Sequence, residues 1–241
     1  NTMNEKNTNL MIGILGWEEG TEITLSQLEE MPGNIANPNT FDFPVLYRRV
    51  KGANFQTVVK SPNQKVLREM IKSARQMEAE GIRAILTSCG FNAIFHQELS
   101  NSVNVPFISS SLMQVPLVSL MLQKDQVIGI ITADQESLSE DHLRAVGITD
   151  DHYPIVIGIE HTEEFSKICR DAHAVLDQEK FINEVVEVAR ELTRLHPNTG
   201  AIVLECTDLP PCADEIRASL KIPVFDIVTL TNMVYKAVTS A

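Results

Sequence analysis

The sequence has few basic residues and no long apolar run, and each shortage excludes a class of protein. Lysine and arginine together number 20 against 32 aspartates and glutamates, which gives a formal net charge of −12. This balance argues against a nucleic-acid partner, because proteins that bind the phosphate backbone rely on lysine and arginine. No segment approaches the roughly 18 consecutive apolar residues of a membrane helix, and the polar start shows no signal peptide. We therefore expect a cytoplasmic protein without a nucleic-acid or membrane partner.

Cysteine is also scarce, and its spacing excludes the usual cysteine-based frameworks. Four cysteines occur in 241 residues, and no two of them form a CxxC pair. Neither a disulfide scaffold nor a zinc knuckle is therefore expected. The sequence also contains no pyridoxal phosphate motif, no Walker loop and no His, Asp and Glu spacing that is typical of a metal site. We expect a protein that works without a metal and without an organic cofactor.

Short apolar runs that are rich in β-branched residues alternate with segments of helical periodicity. Five runs are typical of strands buried on both faces, namely residues 11–15, 84–86, 127–131, 155–157 and 201–204. Capping signals that begin at Ser61 and at Ser137 predict helices that end at Gly81 and Gly147, and a third helix is predicted to end before Pro197. This alternation predicts βαβ units, and hence an α/β fold with parallel sheets.

Three features of the first half recur in the second half, in the same order and at the same spacing to within one residue. They are a glycine inside a strand, a cysteine at a strand end and a proline that begins a strand: Gly13 and Gly129, Cys89 and Cys206, Pro106 and Pro223. One such match would carry little weight, but three in order indicate a duplicated α/β unit. Two similar lobes would enclose a cleft, with each cysteine at the carboxyl end of its strand, where open α/β sheets bind ligands.

Cys89 in the segment TSCGFN and Cys206 in the segment LECTDL are the residues best suited to chemistry. In each case a strand runs into the cysteine and a helix is predicted to follow, and a helix N-terminus lowers the pKa of a thiol. A single cysteine of this kind is usually a buried packing residue, but the repetition favours a site. A thiol and a thiolate on opposite sides of a carbon form an acid–base pair that inverts a stereocentre without a cofactor.

The charges beside the two cysteines differ. Glu205 and Asp208 flank Cys206, whereas the sequence neighbours of Cys89 carry no charge. Nearby carboxylates raise the pKa of a thiol, so we expect Cys206 to rest as the thiol and Cys89 as the thiolate. Because side chains alternate along a strand, Glu205 could point away from the site, which would leave Asp208 as the main influence.

The two cysteine segments, the start Gly13-Ile14-Leu15-Gly16 and the run VIGIIT at residues 127–132 resemble the aspartate/glutamate racemase superfamily over essentially the whole chain. The nearest pattern is that of its aspartate racemase-like members. Members of the superfamily typically carry Cys-Asn-Thr at the first site and Gly-Cys-Thr at the second. Here Thr207 matches, but Gly90 and Phe91 replace Asn and Thr, and Glu205 replaces Gly.

The resemblance implies two pseudo-symmetric Rossmann-like lobes with the active site in the cleft between them. Residues 1–113 and 230–241 would form the first lobe, because the C-terminal helix would pack back on it, and residues 114–229 would form the second. Cys89 and Cys206 would be the catalytic pair. The residues expected to bind substrate are Gly90, Asn92, Thr207, Thr132, Ser109 and, in a loop as a group for a distal carboxylate, Arg48 or its neighbour Arg49.

The resemblance therefore predicts an isomerase, namely a cofactor-independent racemase or epimerase of a small amino acid similar to aspartate or glutamate. We expect a small-molecule carboxylate or amino acid as its partner and a homodimer as its assembly. Two alternatives stay open. One is a same-fold isomerase or decarboxylase of a maleate-like or malonate-like acid that uses one cysteine as nucleophile or proton donor. The other is a two-lobed protein that binds a small acid without chemistry.

Overall fold

The structure, a computed structural model, describes residues 10–18, 25–150, 153–171 and 173–239, and it contains two parallel sheets of four strands. The strands of the first sheet are β1 (Ile12–Gly16), β2 (Val45–Arg49), β3 (Ala84–Thr87) and β4 (Phe107–Ile108). The strands of the second sheet are β5 (Val127–Thr132), β6 (Ile155–Gly158), β7 (Thr199–Leu204) and β8 (Val224–Phe225). Each sheet with the helices that cover it is called the first lobe or the second lobe below.

Helices connect the strands, as expected for parallel sheets. They are α1 (Ser26–Glu29), α2 (Gln64–Ala79), α3 (His96–Ser100), α4 (Val115–Ser119), α5 (Glu140–Ala145), α6 (Glu163–Arg170), α7 (Gln178–Leu195), α8 (Ala213–Leu220) and α9 (Ile227–Val238). Short 3₁₀ turns occur at Gly90–Phe95, Ser111–Gln114 and Pro210–Cys212, and a π-helical turn occurs at Phe55–Lys60. Among the helices described, none is long and apolar enough to cross a membrane.

The two sheets have the same topology. The strand order is β2-β1-β3-β4 in the first sheet and β6-β5-β7-β8 in the second, and all pairings are parallel. Matched in chain order, each strand of the first lobe has its counterpart in the second. The predicted α/β fold with two repeated lobes is therefore confirmed.

The repeated glycines mark the places where a long helix approaches a central strand. A Cβ atom added to Gly13 in β1 would lie 2.6 Å from Sδ of Met77 in α2. A Cβ atom added to Gly129 in β5 would lie 2.6 Å from Cδ2 of Leu192 in α7. Only glycine permits this close approach. The repeat in the sequence thus follows from a repeated helix–sheet contact.

Three local predictions are wrong. Arg48 was expected in a loop, but it lies in β2, an edge strand whose residues are mostly only half-buried and which therefore lacks a continuous apolar run. Helix α2 is capped by Asn63, whose Oδ1 accepts the N–H of Val66 at 3.0 Å, and not by a box that begins at Ser61. Helix α5 is capped by Ser139, which pairs with His142, and not by Ser137.

The C-terminal helix α9 packs against the first sheet. Its residues Ile227 and Leu230 share a buried cluster with Ile12 and Ile14 of β1 and Leu86 of β3. The carboxylate of Asp226 begins this helix by accepting the N–H of Thr229 at 2.7 Å. The chain therefore returns to its first sheet after the second is complete. The lobe boundaries given above stay a prediction.

Candidate active site

A cavity of about 270 Å³ lies between the carboxyl ends of the two sheets. Ser88, Cys89 and Gly90 reach it from the end of β3, and Glu205, Cys206, Thr207 and Asp208 reach it from the end of β7. The remaining lining comes from Trp17, Leu25, Glu29, Asn34, Ile35, Ala36, Tyr47, Phe55, Gln56, Val59, Phe91, Ala133 and Phe165. The position agrees with the general rule that parallel α/β sheets bind ligands beyond the carboxyl ends of their strands.

Equivalent backbone hydrogen bonds hold both cysteine segments. The N–H of Ser88 donates to the carbonyl of Leu15 at 2.9 Å, and the N–H of Glu205 donates to the carbonyl of Ile131 at 2.9 Å. Each residue that precedes a cysteine is thus fixed to the central strand of its own sheet. Cys89 and Cys206 follow directly, and each is buried with 8 % of its surface exposed.

Cys89 is extended, with φ −152° and ψ 121°, and the 3₁₀ turn Gly90–Phe95 begins immediately after it. Burial and the nearby Glu205 carboxylate raise the pKa of Cys89 well above its usual value, although the N–H of Phe91 acts in the opposite direction. The prediction that Cys89 is a resting thiolate is therefore wrong. The turn that follows it is not a long helix, and a carboxyl from the other lobe lies beside it.

Cys206 has a carboxyl partner of its own. Its thiol donates to Oδ2 of Asp208, with 3.9 Å between sulfur and oxygen. Burial first, and then the charges of Asp208 and Glu205, raise the pKa of Cys206 well above its usual value. Helix α8 begins only at Ala213, beyond a 3₁₀ turn, so that the expected helix N-terminus is not next to this thiol. As predicted, Cys206 rests as a thiol.

Glu205 reaches toward Cys89 because residue 90 is glycine. The space that a side chain at residue 90 would fill is occupied by Oε1 and the carbonyl oxygen of Glu205. Its other carboxyl oxygen, Oε2, accepts the hydroxyl of Thr132 at 2.7 Å. Burial raises the pKa of Glu205 to about 7. Of the two orientations left open for Glu205, the structure has the one that faces the site, with the carboxyl between the two cysteine segments.

Asp208 is held by a residue that the sequence did not single out. Nδ2 of Asn34 donates to Oδ1 of Asp208 at 2.7 Å, which leaves Oδ2 for the thiol of Cys206. Burial raises the pKa of Asp208 to about 7, and the Glu29 carboxylate acts in the same direction. A carboxyl with this pKa is part ionised near neutral pH and can accept a proton from a thiol.

The residues expected to bind substrate divide into two groups. Gly90 and Thr207 line the cavity together with the two cysteines, and the hydroxyl of Thr207 donates to the carbonyl of Ser88 in the other lobe. Thr132 contacts the cavity through Glu205. Asn92 is buried within the 3₁₀ turn, where its N–H donates to the carbonyl of Cys89 at 3.1 Å, and its side chain lies outside the lining.

Ser109 and Arg48 lie away from the cavity. The hydroxyl of Ser109 contacts Nδ1 of His96 at 2.9 Å. The guanidinium of Arg48 pairs with Glu80 at 2.7 Å. Side chains alternate along a strand, and it is the ring of the preceding residue, Tyr47, that lines the cavity. Both residues therefore have structural partners elsewhere.

The sequence did not reveal the aromatic part of the lining. Five rings line the cavity, and they belong to Trp17, Tyr47, Phe55, Phe91 and Phe165. They come from a loop, an edge strand, a π-helical turn, a 3₁₀ turn and a helix, so that no common spacing connects them. Among the described residues of the lining, three are acidic, Glu29, Glu205 and Asp208, and none is basic. The described residues also contain no group of three or more His, Cys, Asp or Glu side chains that could hold a metal ion.

Comparison with known proteins gives a family match and a set of curated relatives. The family model of the Asp/Glu/Hydantoin racemases matches residues 12–232. The dimethylsulfoniopropionate lyase of Durusdinium sp. clade D is 29% identical over 204 residues, which cover 82% of this chain and 67% of that protein. Dimethylsulfoniopropionate lyase 3 of Emiliania huxleyi (strain CCMP1516) is 31% identical over 211 residues, which cover 83% of this chain and 54% of that protein. The chain thus spans about half to two thirds of the length of these relatives.

Solved structures with the same fold include a racemase and a decarboxylase. Allantoin racemase from Pseudomonas fluorescens matches with a TM-score of 0.60 and 15% identity, over 95% of this chain and 90% of that one. Unliganded arylmalonate decarboxylase matches with a TM-score of 0.58 and 14% identity, over 96% of this chain and 94% of that one. These likenesses establish the two-lobed fold, which hosts more than one chemistry.

The comparisons correct the expected activity. An amino-acid racemase, and hence an isomerase, was predicted, but the curated relatives that match more than four fifths of the chain are named lyases. The alternative, a same-fold isomerase or decarboxylase of a maleate-like or malonate-like acid, agrees better with them than the racemase does. The error arose because one fold can host more than one chemistry, so that the cysteine pair alone does not determine the reaction.

Proposed function

The chain belongs to the Asp/Glu/hydantoin racemase family, and from this premise we propose that it is a lyase that eliminates dimethyl sulfide from dimethylsulfoniopropionate or a closely similar sulfonium acid. The observation that carries the proposal is a cavity in which the Cys206 thiol donates to Asp208 beside a second thiol, Cys89. The names of the curated relatives supply the class of substrate.

The reaction needs a base for a hydrogen on the carbon next to the substrate carboxylate. Asp208 takes the thiol proton of Cys206, and the resulting thiolate removes that hydrogen. The electron pair of the broken C–H bond forms a C=C bond to the neighbouring carbon. The C–S bond of the sulfonium breaks at the same time, and its electron pair leaves with sulfur as neutral dimethyl sulfide. Acrylate is the other product, and Asp208 releases one proton to solvent.

This reaction uses the two cysteines unequally. Dimethyl sulfide leaves as a neutral molecule, so that no acid has to protonate the leaving group. One base therefore suffices, and the Asp208 contact favours Cys206 for this role. A racemase, by contrast, needs both an acid and a base on opposite faces of the carbon. Cys89 is then a neighbour of the reacting carbon, buried and protonated.

The direct test is incubation of the purified protein with dimethylsulfoniopropionate, with dimethyl sulfide measured by gas chromatography and acrylate by proton NMR. We expect both products in equal amounts. Cys206→Ser should lower their rate of formation at least about a hundredfold. The matched control Cys212→Ala, which changes a buried thiol of the same lobe outside the cavity, should retain the wild-type rate. Absence of both products with the folded wild-type protein, or full activity of Cys206→Ser, would contradict the proposal.

A further inference from the structure

Resting on the proposed lyase function, we propose that the cavity selects its substrate through an onium cation, which lies against the ring of Trp17, and not through recognition of its carboxylate. The substrate class is a small zwitterion whose sulfonium or quaternary ammonium group is two carbons from a carboxylate. Trp17 would be the specificity-determining residue. This assignment follows from the charge of the lining, from its rings and from the contacts that orient Trp17.

The charge of the lining favours a substrate with a cationic group over a substrate with two carboxylates. The three acidic residues of the described lining are Glu29, Glu205 and Asp208, and no lysine, arginine or histidine accompanies them there. The guanidinium of Arg49 pairs with Glu29 at 2.8 Å, which leaves Glu205 and Asp208 without an ion pair among the described residues. A dicarboxylate would therefore meet uncompensated negative charge, whereas a zwitterion brings a cation and no net charge.

The rings of the lining are suited to onium groups. An aromatic face attracts a cation electrostatically, and this attraction is available to an onium group even though it has no hydrogen-bond donor. Two of the rings already have a protein cation above them. Cζ of Arg49 lies 5.1 Å from the centroid of Tyr47, and Nζ of Lys60 lies 5.6 Å from the centroid of Phe55. Within the described part of the chain, Trp17 has no such cation, and tryptophan is the strongest aromatic partner for one.

Neighbouring residues fix the orientation of Trp17. Its ring packs edge-to-face on Phe55, with centroids 6.5 Å apart and an interplanar angle of 68°. Its carbonyl oxygen accepts from the guanidinium of Arg49 at 3.3 Å, and this places Trp17 beside the Arg49–Glu29 pair. The ring is thus part of a preformed wall of the cavity.

Binding of the cation would also assist the base. The pKa values of Glu205 and Asp208 are both raised to about 7 by burial. A positive charge inside the cavity favours the ionised forms of both carboxyls and of the Cys206 thiol, and so lowers the pKa values of all three groups. Asp208 would then be ionised when the onium substrate is present, which is the state that accepts the proton of Cys206. An analogue that lacks the cation would not lower these pKa values.

The test measures binding by calorimetry to the Cys206→Ser variant, which removes turnover. The ligands are dimethylsulfoniopropionate, 3-(trimethylammonio)propanoate and 4-methylpentanoate, an isostere that keeps the carboxylate but lacks the cation. We expect both onium ligands to bind about tenfold more tightly than the isostere. Adding Trp17→Leu should reduce this ratio to about twofold, and Trp17→Phe should restore part of it. The control Phe107→Leu, a buried ring outside the cavity, should leave the ratio unchanged.

The outcomes separate this inference from the proposed lyase function. Equal binding of the isostere and the onium ligands, or an unchanged ratio in folded Trp17→Leu, would overturn the inference even if the wild-type protein releases dimethyl sulfide. A tenfold preference that depends on Trp17, in a protein that releases no dimethyl sulfide, would support the inference and overturn the lyase proposal.

Discussion

Cys89 in the first lobe and Cys206 in the second follow equivalent strands and are held by equivalent backbone hydrogen bonds, yet their surroundings differ. Cys206 donates to Asp208, two residues further along its own segment. Cys89 has no acidic residue in its own segment, and the carboxyls that raise its pKa, Glu205 and then Asp208, come from the other lobe. Both of these carboxyls belong to the second lobe, while the first lobe supplies a thiol, the ion-paired Glu29 and most of the apolar lining. A duplicated scaffold has acquired two different halves of one site.

The largest effect should come from removing each thiol in turn. Cys206→Ser is expected to lower the lyase kcat by about 10²–10⁴-fold, the usual contribution of a general base. Cys89→Ser is expected to lower it much less, because the neutral leaving group needs no acid. The measurement is the initial rate of acrylate formation at saturating substrate. Equal losses would show that the two thiols act as a unit, as in a two-base mechanism, and would contradict the unequal roles of Cys89 and Cys206.

The repeated helix–sheet contact can be compared by Gly13→Ala and Gly129→Ala. Each added methyl group overlaps a helix side chain, so that both variants should be destabilised by about 1–3 kcal/mol. The loss should be smaller for Gly13→Ala, since the end of Met77 is flexible, whereas the branched Leu192 places three atoms near the new Cβ. Urea unfolding measures both. Relief of the Gly129→Ala loss by Leu192→Ala would identify the overlap as the cause.

The two carboxyls can be separated by their effect on the pH profile. The pKa of Asp208 is about 7, and the carboxylate form is the one that accepts the thiol proton, so that kcat/KM should rise with pH through about 7. Asp208→Asn should remove this rise, called the acidic limb of the pH profile, and lower the rate roughly tenfold, which corresponds to about 1.4 kcal/mol in activation free energy. Glu205→Gln should retain the limb. If the limb disappears in Glu205→Gln instead, the carboxyl of Glu205 is the one that serves the base.

The smallest effect concerns the contact between the lobes. His142 of α5 is buried against the ring of Phe91, with centroids 5.5 Å apart, and burial lowers its pKa from 6.5 to about 4. The folded protein therefore keeps His142 neutral, and its contribution to stability is complete above pH 6.5 and is lost as the pH falls toward 4.

When the pH is lowered from 6.5 to 5.5, the free energy of unfolding of His142→Leu should therefore fall by about 1 kcal/mol less than that of the wild-type protein. Urea unfolding at the two pH values gives this difference, in which the titration of other groups cancels. Parallel pH dependence in the two proteins would show that His142 is not a buried neutral contact between the lobes.

The sequence predicted the parts of the molecule that depend on local periodicity and on the repeat. The buried strands, the parallel α/β fold and the positions of both cysteines at strand ends could be inferred in this way. The edge strand β2 could not, because it is mostly half-buried and lacks a continuous apolar run. The rings of the lining could not either, since Trp17, Phe55 and Phe165 converge only in the folded chain. The position of Glu205 depended on the absence of a side chain at Gly90, a contact between residues 115 positions apart.

The shared space at Gly90 and Glu205 also restricts how such a site can evolve. In the superfamily pattern that this chain resembles, Asn takes the place of Gly90 and Gly takes the place of Glu205. A chain that acquired the glutamate first would place two side chains in one volume at the centre of the molecule, and it would have to move the end of a strand to relieve the overlap. The mutational path between the two patterns therefore has a direction: the residue after the first cysteine must become small before the carboxyl can arrive.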